Sequence, residues 1–142
     1  MKNILAICAL VLFILSLSDV NAQRTDVAIQ RKPSGAYELL VDGQPTFIKC
    51  AVWHTGIELV KKNGDNAIRS EYTKERLDEA ASTGLMMLVN LPVTAQRDGF
   101  DCDDAADVRR QHEKILQIVR NVKDHPSVMM WALGNEPDKI IF

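Results

Sequence analysis

The fold is decided by the apolar run VMMWAL (Val128–Leu133), which ends directly in GNEP (Gly134–Pro137). A short, continuous apolar run next to turn residues is typical of a strand buried on both faces of a parallel sheet. Such a strand carries Glu136 to its carboxyl end, where a carboxyl group can donate a proton to a bound molecule or accept one. The residues alone leave a second interpretation open, in which Glu136 lies at a helix start and Pro137 takes the first helical position.

Upstream of this run, strand-like and helix-like segments alternate. The strand-like segments are 46–53, 66–69, 85–89 and 127–133, and the helix-like segments are 56–62, 72–82 and 101–123. This alternation predicts an α/β fold, with a parallel sheet and helices packed outside it. Four such strands correspond to the N-terminal half of a (β/α)₈ TIM barrel, which needs eight strands and eight helices. We therefore expect residues 47–142 to be a partial barrel that is truncated after its fourth strand.

A short β-ribbon is predicted ahead of this partial barrel, in residues 23–46. The segments 27–31 and 37–41 are rich in β-branched and aromatic residues, and Asp42-Gly43 follows the second of them. An Asp-Gly pair between two such runs is a strong hairpin signal. The ribbon should therefore lead directly into the first strand of the sheet.

Residues 1–22 have the pattern of a secretory signal peptide. Lys2 gives a positive start, residues 4–17 are almost wholly apolar, and small residues precede a cleavage point before Gln23. The apolar core is shorter than a comfortable membrane span, although an uncleaved anchor is the alternative. We expect a secreted or periplasmic protein that has no contact with the membrane after cleavage.

Charge and metal-ligand spacing argue against several other classes of protein. The net charge is −2 and the basic residues are scattered, so a nucleic-acid partner is not expected. The acidic residues between 98 and 107 lack the calcium-loop pattern, and His112 and His125 lack ligand spacing. No cofactor and no metal are therefore implied. Cys50 and Cys102 fall on or after strands that are not neighbours, so we expect no disulfide between them.

Four segments, in order, resemble one enzyme family. The segment DHPSVMMWALGNE (124–136) resembles the acid/base signature of glycoside hydrolase family 2, within clan A of the retaining β-glycosidases. Residues 42–51 resemble the entry to that family's barrel, and residues 64–70 and 77–85 resemble its second strand and the following helix. The resemblance implies a carbohydrate substrate, a β-glycoside whose O-glycosidic bond is hydrolysed with retention of configuration.

The resemblance also implies roles for individual residues. Glu136 would be the general acid that protonates the glycosidic oxygen and then the base that activates water, and Asn135 would bond to the sugar 2-hydroxyl. Arg69 would orient the nucleophilic carboxylate and hold it ionised. The alternative for Arg69 is a surface ion pair with Glu71 or Glu75.

Three further residues are candidates because polar and aromatic groups at strand ends line the open end of a barrel. His54 follows the first strand and Asn90 ends the third, so both are candidate substrate contacts. Trp53 lies beside His54 and is the candidate platform for a sugar ring, whereas Trp131 lies within a strand and is expected in the core.

The family's nucleophile is a glutamate on the seventh barrel strand, and the present sequence supplies four strands. We therefore expect a polypeptide of residues 1–142 alone to have negligible glycosidase activity. A half barrel also has open strand edges, which favour self-association. Two alternatives remain: a non-catalytic carbohydrate-binding or scaffold fragment, and an interaction domain unrelated to sugars.

Overall fold

The computed structural model describes residues 24–52 and 55–134 of the chain. The predicted signal peptide lies outside these ranges, and so do Trp53, His54, Asn135 and Glu136. None of the helices in the described ranges is long and apolar enough to cross a membrane.

The chain opens with a three-stranded antiparallel sheet, as the ribbon prediction requires. Its strands are β1 (Val27–Arg31), β2 (Tyr37–Val41) and β3 (Gln44–Pro45). Asp42 and Gly43 both have positive φ, 50° and 75°, which is the backbone of a type I′ hairpin turn. The turn sets the register, so that Val41 lies opposite Gln44.

The next strand is shorter than the predicted segment 46–53, because β4 covers only Cys50–Val52 in the described residues. The side chain of Asn66 explains the late start. Its Nδ2 donates to the Phe47 carbonyl at 2.9 Å, and its Oδ1 accepts from the Lys49 amide at 2.8 Å. A side-chain amide thus satisfies backbone groups that a sheet would otherwise pair.

The remaining elements form the expected parallel sheet, in the order β4-β5-β6-β7. Its other strands and the helices are β5 (Ala67–Glu71), β6 (Met86–Leu91), β7 (Val128–Leu133), α1 (Ile57–Lys62), α2 (Lys74–Ser82) and α3 (Ala105–Val122). The third helix begins later than predicted, because Asp104 caps it by accepting a hydrogen bond from the Ala106 amide. A 3₁₀ turn, Gln96–Asp98, lies in the loop before it.

The two faces of the parallel sheet differ in burial. Along β6, Met87, Val89 and Leu91 are buried, and the residues between them are half-buried. Because successive side chains on a strand point to opposite faces, one face of β6 is core and the other is open. The core on the closed face also includes Ile57, Ile68, Leu77, Ala80, Leu85, Val122 and Val128, and Trp131 packs against it as expected.

A hydrogen-bond network, which we call the His125 network (Leu77, Asp78, His125 and Ser127), joins α2 to the start of β7. The Ser127 hydroxyl donates to the Leu77 carbonyl at 3.1 Å and lies 2.9 Å from His125 Nδ1. His125 Nε2 lies 3.1 Å from Asp78 Oδ1. Lys74, followed by His125, holds the pKa of Asp78 below its ordinary value by hydrogen bonding to the carboxylate. The network fixes the amino end of β7 against the helix layer.

Ser127→Ala should lower the free energy of unfolding by about 1 kcal/mol, because the buried hydroxyl that joins His125 to the Leu77 carbonyl is lost. The matched control is Ser82→Ala, since the Ser82 hydroxyl also donates to a carbonyl but lies on the surface. The control should change stability by less than about 0.5 kcal/mol. Urea unfolding followed by Trp fluorescence measures both changes, and equal losses would contradict the structural role of Ser127.

Candidate active site

The central contact of the candidate site joins Arg69 on β5 to Asn90 on β6. Arg69 Nε donates to Asn90 Oδ1 at 2.8 Å, and both side chains are partly buried. A charged donor makes such a bond stronger than one between neutral groups. The contact fixes two of the predicted site residues relative to each other at the carboxyl end of the sheet.

The strand register explains why these two side chains meet. Arg69 lies opposite Leu88 in the β5–β6 pairing, and Asn90 lies opposite Glu71. In the β6–β7 pairing Asn90 lies opposite Ala132. Paired residues project from the same face of a sheet, so Arg69 and Asn90 share the open face.

A cavity of about 240 Å³ lies at this edge, and we call it the Asn90 pocket. Its lining residues come from the ends of three strands and the segments that follow them: Glu71, Tyr72, Asn90, Leu91, Pro92, Val93 and Gly134. A cavity outside the carboxyl ends of parallel strands is where α/β barrels place their ligands. Asn90 therefore lines a candidate ligand cavity, and its contact with substrate stays a prediction.

Gly134 forms one wall of the Asn90 pocket and ends β7 in a constrained turn. Its φ is +76°, and a Cβ built there would lie 3.2 Å from Val93 Cβ and 3.3 Å from the Val93 carbonyl oxygen. Both the backbone angle and the lack of space favour glycine.

The sequence also contained a signal for a lining residue that was not predicted. Glu71 ends β5 and lines the Asn90 pocket. The rule that selected Asn90, a polar residue at a strand end, applies equally to Glu71. The predicted strand stopped at Arg69, and this early end concealed the signal.

Four of the six predicted site residues, Trp53, His54, Asn135 and Glu136, lie outside the described residues. Their roles stay predictions. Among the described residues, no group of three or more His, Cys, Asp or Glu side chains could hold a metal ion.

Cys50 lies on β4 two residues before Val52, the residue that pairs with Arg69, so Cys50 and Arg69 project from the same face. Partial burial, followed by the negative charge of Asp65, raises the pKa of the Cys50 thiol above its ordinary value, and Arg69 opposes this rise. Cys50 and Cys102 are both free and exposed. The pKa of the Cys50 thiol therefore depends on the charge of Arg69, which lies on the same face of the sheet.

Comparison with known proteins identifies the family. The model of the TIM barrel domain of glycosyl hydrolases family 2 matches residues 51–140, which is more than half of the chain. The chain therefore belongs to this family of glycoside hydrolases, as its resemblance implied.

Individual relatives agree with this family and fold. A β-glucuronidase of Streptococcus agalactiae is 26% identical over 96 residues, which cover 57% of this chain and 16% of the relative. The β-glucuronidase of Ruminococcus gnavus has the same fold over 82% of this chain and 23% of its own, with a TM-score of 0.62 and 21% identity. An exo-chitosanase of Amycolatopsis orientalis matches 75% of this chain and 15% of its own, with a TM-score of 0.58 and 19% identity. The chain thus spans less than a quarter of each of these proteins.

Alkylation of Cys50 by iodoacetamide should test the electrostatics of this face. In residues 23–142 carrying Cys102→Ser, Cys50 is the single thiol, and its reaction rate should rise with pH through a midpoint above 9.0, the ordinary thiol value. Arg69→Gln should move the midpoint upward, because the nearby cation is lost, and Asp65→Asn should move it downward. The surface control Arg109→Gln should leave the midpoint unchanged. A midpoint that does not respond to Arg69→Gln would contradict the proximity of the two residues.

Proposed function

We propose that this chain is the part of a retaining β-glycosidase that supplies the acid/base residue, Glu136. The observation that carries the proposal is the Asn90 pocket, whose Gly134 wall leads directly into Asn135-Glu136. The Arg69–Asn90 hydrogen bond supports it, because a cation and an amide are held at the same edge of the sheet. Membership of glycosyl hydrolases family 2 supports the reaction class.

Chain geometry brings Glu136 close to the Asn90 pocket. Two residues of fully extended chain span about 7 Å, so the Glu136 Cα is at most about that far from the Gly134 Cα. The three carbon atoms and the carboxylate of a glutamate side chain reach several ångströms further. The proposed role of Glu136 is therefore compatible with the length of chain between Gly134 and Glu136.

The proposed mechanism has two steps. In the first, Glu136 donates its proton to the glycosidic oxygen as the bond from that oxygen to the anomeric carbon breaks, and a second carboxylate bonds to the anomeric carbon. In the second, Glu136 takes a proton from water as the water oxygen attacks the anomeric carbon and releases the second carboxylate. The net result is hydrolysis with retention, and Glu136 ends in its starting protonation state.

Arg69 and Asn135 have supporting roles in this proposal. In a retaining enzyme the two carboxyl groups stand about 5–5.5 Å apart. The guanidinium of Arg69 favours the ionised form of a carboxylate beside it, so the nucleophile is kept ready for attack. Asn135 donates to the sugar 2-hydroxyl, and Trp53 and His54 complete the substrate contacts from the end of β4.

A β-glucuronide is the first substrate to test, because β-glucuronidases occur among both the sequence relatives and the structural neighbours. A β-glucosaminide is the second, because of the similarity to an exo-chitosanase. A binding site for a neutral hexose would use the same pocket, so aryl β-glucosides and β-galactosides complete the panel.

We also propose that residues 1–22 direct the protein out of the cytoplasm and are then removed. Secretion into the medium or periplasm should yield a polypeptide that begins at Gln23, and N-terminal sequencing of the exported protein measures this. Changing Ala22 to a bulky residue should block cleavage, because the cleavage site requires a small side chain. An exported protein that still begins at Met1 would support an uncleaved anchor instead.

The role of Glu136 is tested by Glu136→Ala in the full-length gene product that contains residues 1–142. For a methylumbelliferyl glycoside, kcat should fall about 100- to 10,000-fold, because departure of this leaving group needs a proton. A dinitrophenyl glycoside needs no such proton, so its first step should be little affected. Azide should then restore turnover and give the β-glycosyl azide, because a small anion can enter the space left by the carboxylate.

The matched control is Glu79→Ala, which removes an exposed glutamate of α2 and should leave kcat unchanged. Residues 1–142 alone serve as the reference without turnover. A Glu136→Ala enzyme with wild-type activity on both substrates would overturn the assignment, and so would an α-glycosyl azide product.

A further inference from the structure

A second cavity, of about 260 Å³, lies between the loop after β6 and the amino-terminal half of α3. We call it the Phe100 pocket. One aromatic residue and five charged or amide residues contribute most of its chemical character: Asp98, Phe100, Asp107, Arg110, Gln111 and Lys114. None of these side chains has a part in the reaction proposed for Glu136.

The lining of this pocket combines polar groups that can bind sugar hydroxyls with an aromatic ring that can pack against the carbon-bound hydrogens of a sugar. Asp98 and Asp107 accept hydrogen bonds, and Arg110 and Lys114 donate them, as sugar hydroxyls require of a partner. Phe100 is half-buried and offers an aromatic surface to the carbon-bound hydrogens of a ring. A small anion would meet two carboxylates here, and a purely apolar ligand would strip water from four charges. A neutral polyhydroxyl ligand therefore fits best.

The walls of the Phe100 pocket are fixed by contacts within the protein. The Thr94 amide donates to Gln111 Oε1 at 2.6 Å, which holds the loop against α3. The Phe100 amide donates to the carbonyl of the buried Ala95 at 3.3 Å. Arg110 forms an ion pair with Asp107 one turn away on α3. A site whose walls are held in this way loses less entropy when a ligand binds.

The Phe100 pocket adjoins the Asn90 pocket, because Pro92 lines both cavities. The loop that lines both cavities starts at the carboxyl end of β6, so both cavities lie at this end of the sheet. The volume is below the roughly 300–1,000 Å³ typical of drug-sized ligands, which suits a single ring. We propose that the Phe100 pocket is a second saccharide subsite, which binds the sugar unit next to the one that occupies the Asn90 pocket.

This inference rests on the proposed glycosidase function, and two substrates separate the two claims. The full-length protein is assayed with the β-glycosyl fluoride of one sugar, whose leaving group is too small to reach a second subsite, and with the β-linked disaccharide of the same sugar. Phe100→Ala and Arg110→Ala should each lower kcat/KM for the disaccharide about tenfold, because each removes a contact to the second sugar. Both should leave kcat/KM for the glycosyl fluoride unchanged, because fluoride makes no contact with the pocket.

Matched controls are Phe47→Ala, at an aromatic residue that is 81% exposed on the ribbon side, and Arg109→Ala, at an exposed arginine outside the pocket. Arg110 is two-thirds exposed, so its loss tests the subsite even where Phe100→Ala weakens the loop. Unchanged disaccharide kinetics in Arg110→Ala overturn the subsite and leave the proposed function intact. If the wild-type protein hydrolyses the glycosyl fluoride and not the disaccharide, the subsite is likewise overturned and the proposed function stands. Absence of both activities in the wild type overturns the proposed function and the subsite together.

Discussion

The parallel pairing of β5 with β6 is the constraint on which the rest of the structure depends. It places Arg69 opposite Leu88 and Glu71 opposite Asn90, so the guanidinium and the carboxamide meet at 2.8 Å on the open face. A slip of one residue would turn Arg69 into the core and Ile68 out of it, because strand side chains alternate between faces. Burying an arginine without a partner costs far more than the pairing supplies. Burial of the apolar residues on the closed face therefore sets the strand register, and this register determines which polar residues lie on the open face.

The same division between faces connects packing with function. The helices cover one face with aliphatic side chains, and the His125 network holds the start of β7 to this layer. At the other end of β7, the constrained turn at Gly134 borders the Asn90 pocket. The strand β7 is thus anchored at its start and followed by a sharp turn at Gly134. Preorganisation of this kind is what acid/base catalysis requires of its scaffold.

Much of this architecture could be predicted from the sequence, because its signals are local. Apolar runs and helical periods identified the four parallel strands and three helices, and Asp42-Gly43 identified the hairpin. Contacts between distant segments had no such signal. Asn66 delays the start of β4 through two hydrogen bonds to residues almost twenty positions earlier, and no local pattern announces them. The strand-end rule placed Arg69 and Asn90 at one edge, but their direct bond depends on a register that only the folded sheet defines. Glu71 was missed because β5 runs two residues beyond Arg69, where the predicted strand ended.

The assignment of Glu136 as the acid/base residue is tested most directly by a crystal structure of the full-length protein with a bound inhibitor. The inhibitor should be one that carries a nitrogen atom in place of the glycosidic oxygen. The inhibitor is expected in the Asn90 pocket, with a Glu136 carboxylate oxygen at hydrogen-bond distance, about 2.6–3.2 Å, from that nitrogen. Arg69 and Asn90 should keep their mutual hydrogen bond on the same side of the sugar. A complex in which Glu136 points away from the bound inhibitor, or in which the inhibitor occupies a different edge of the sheet, would contradict the assignment of the site.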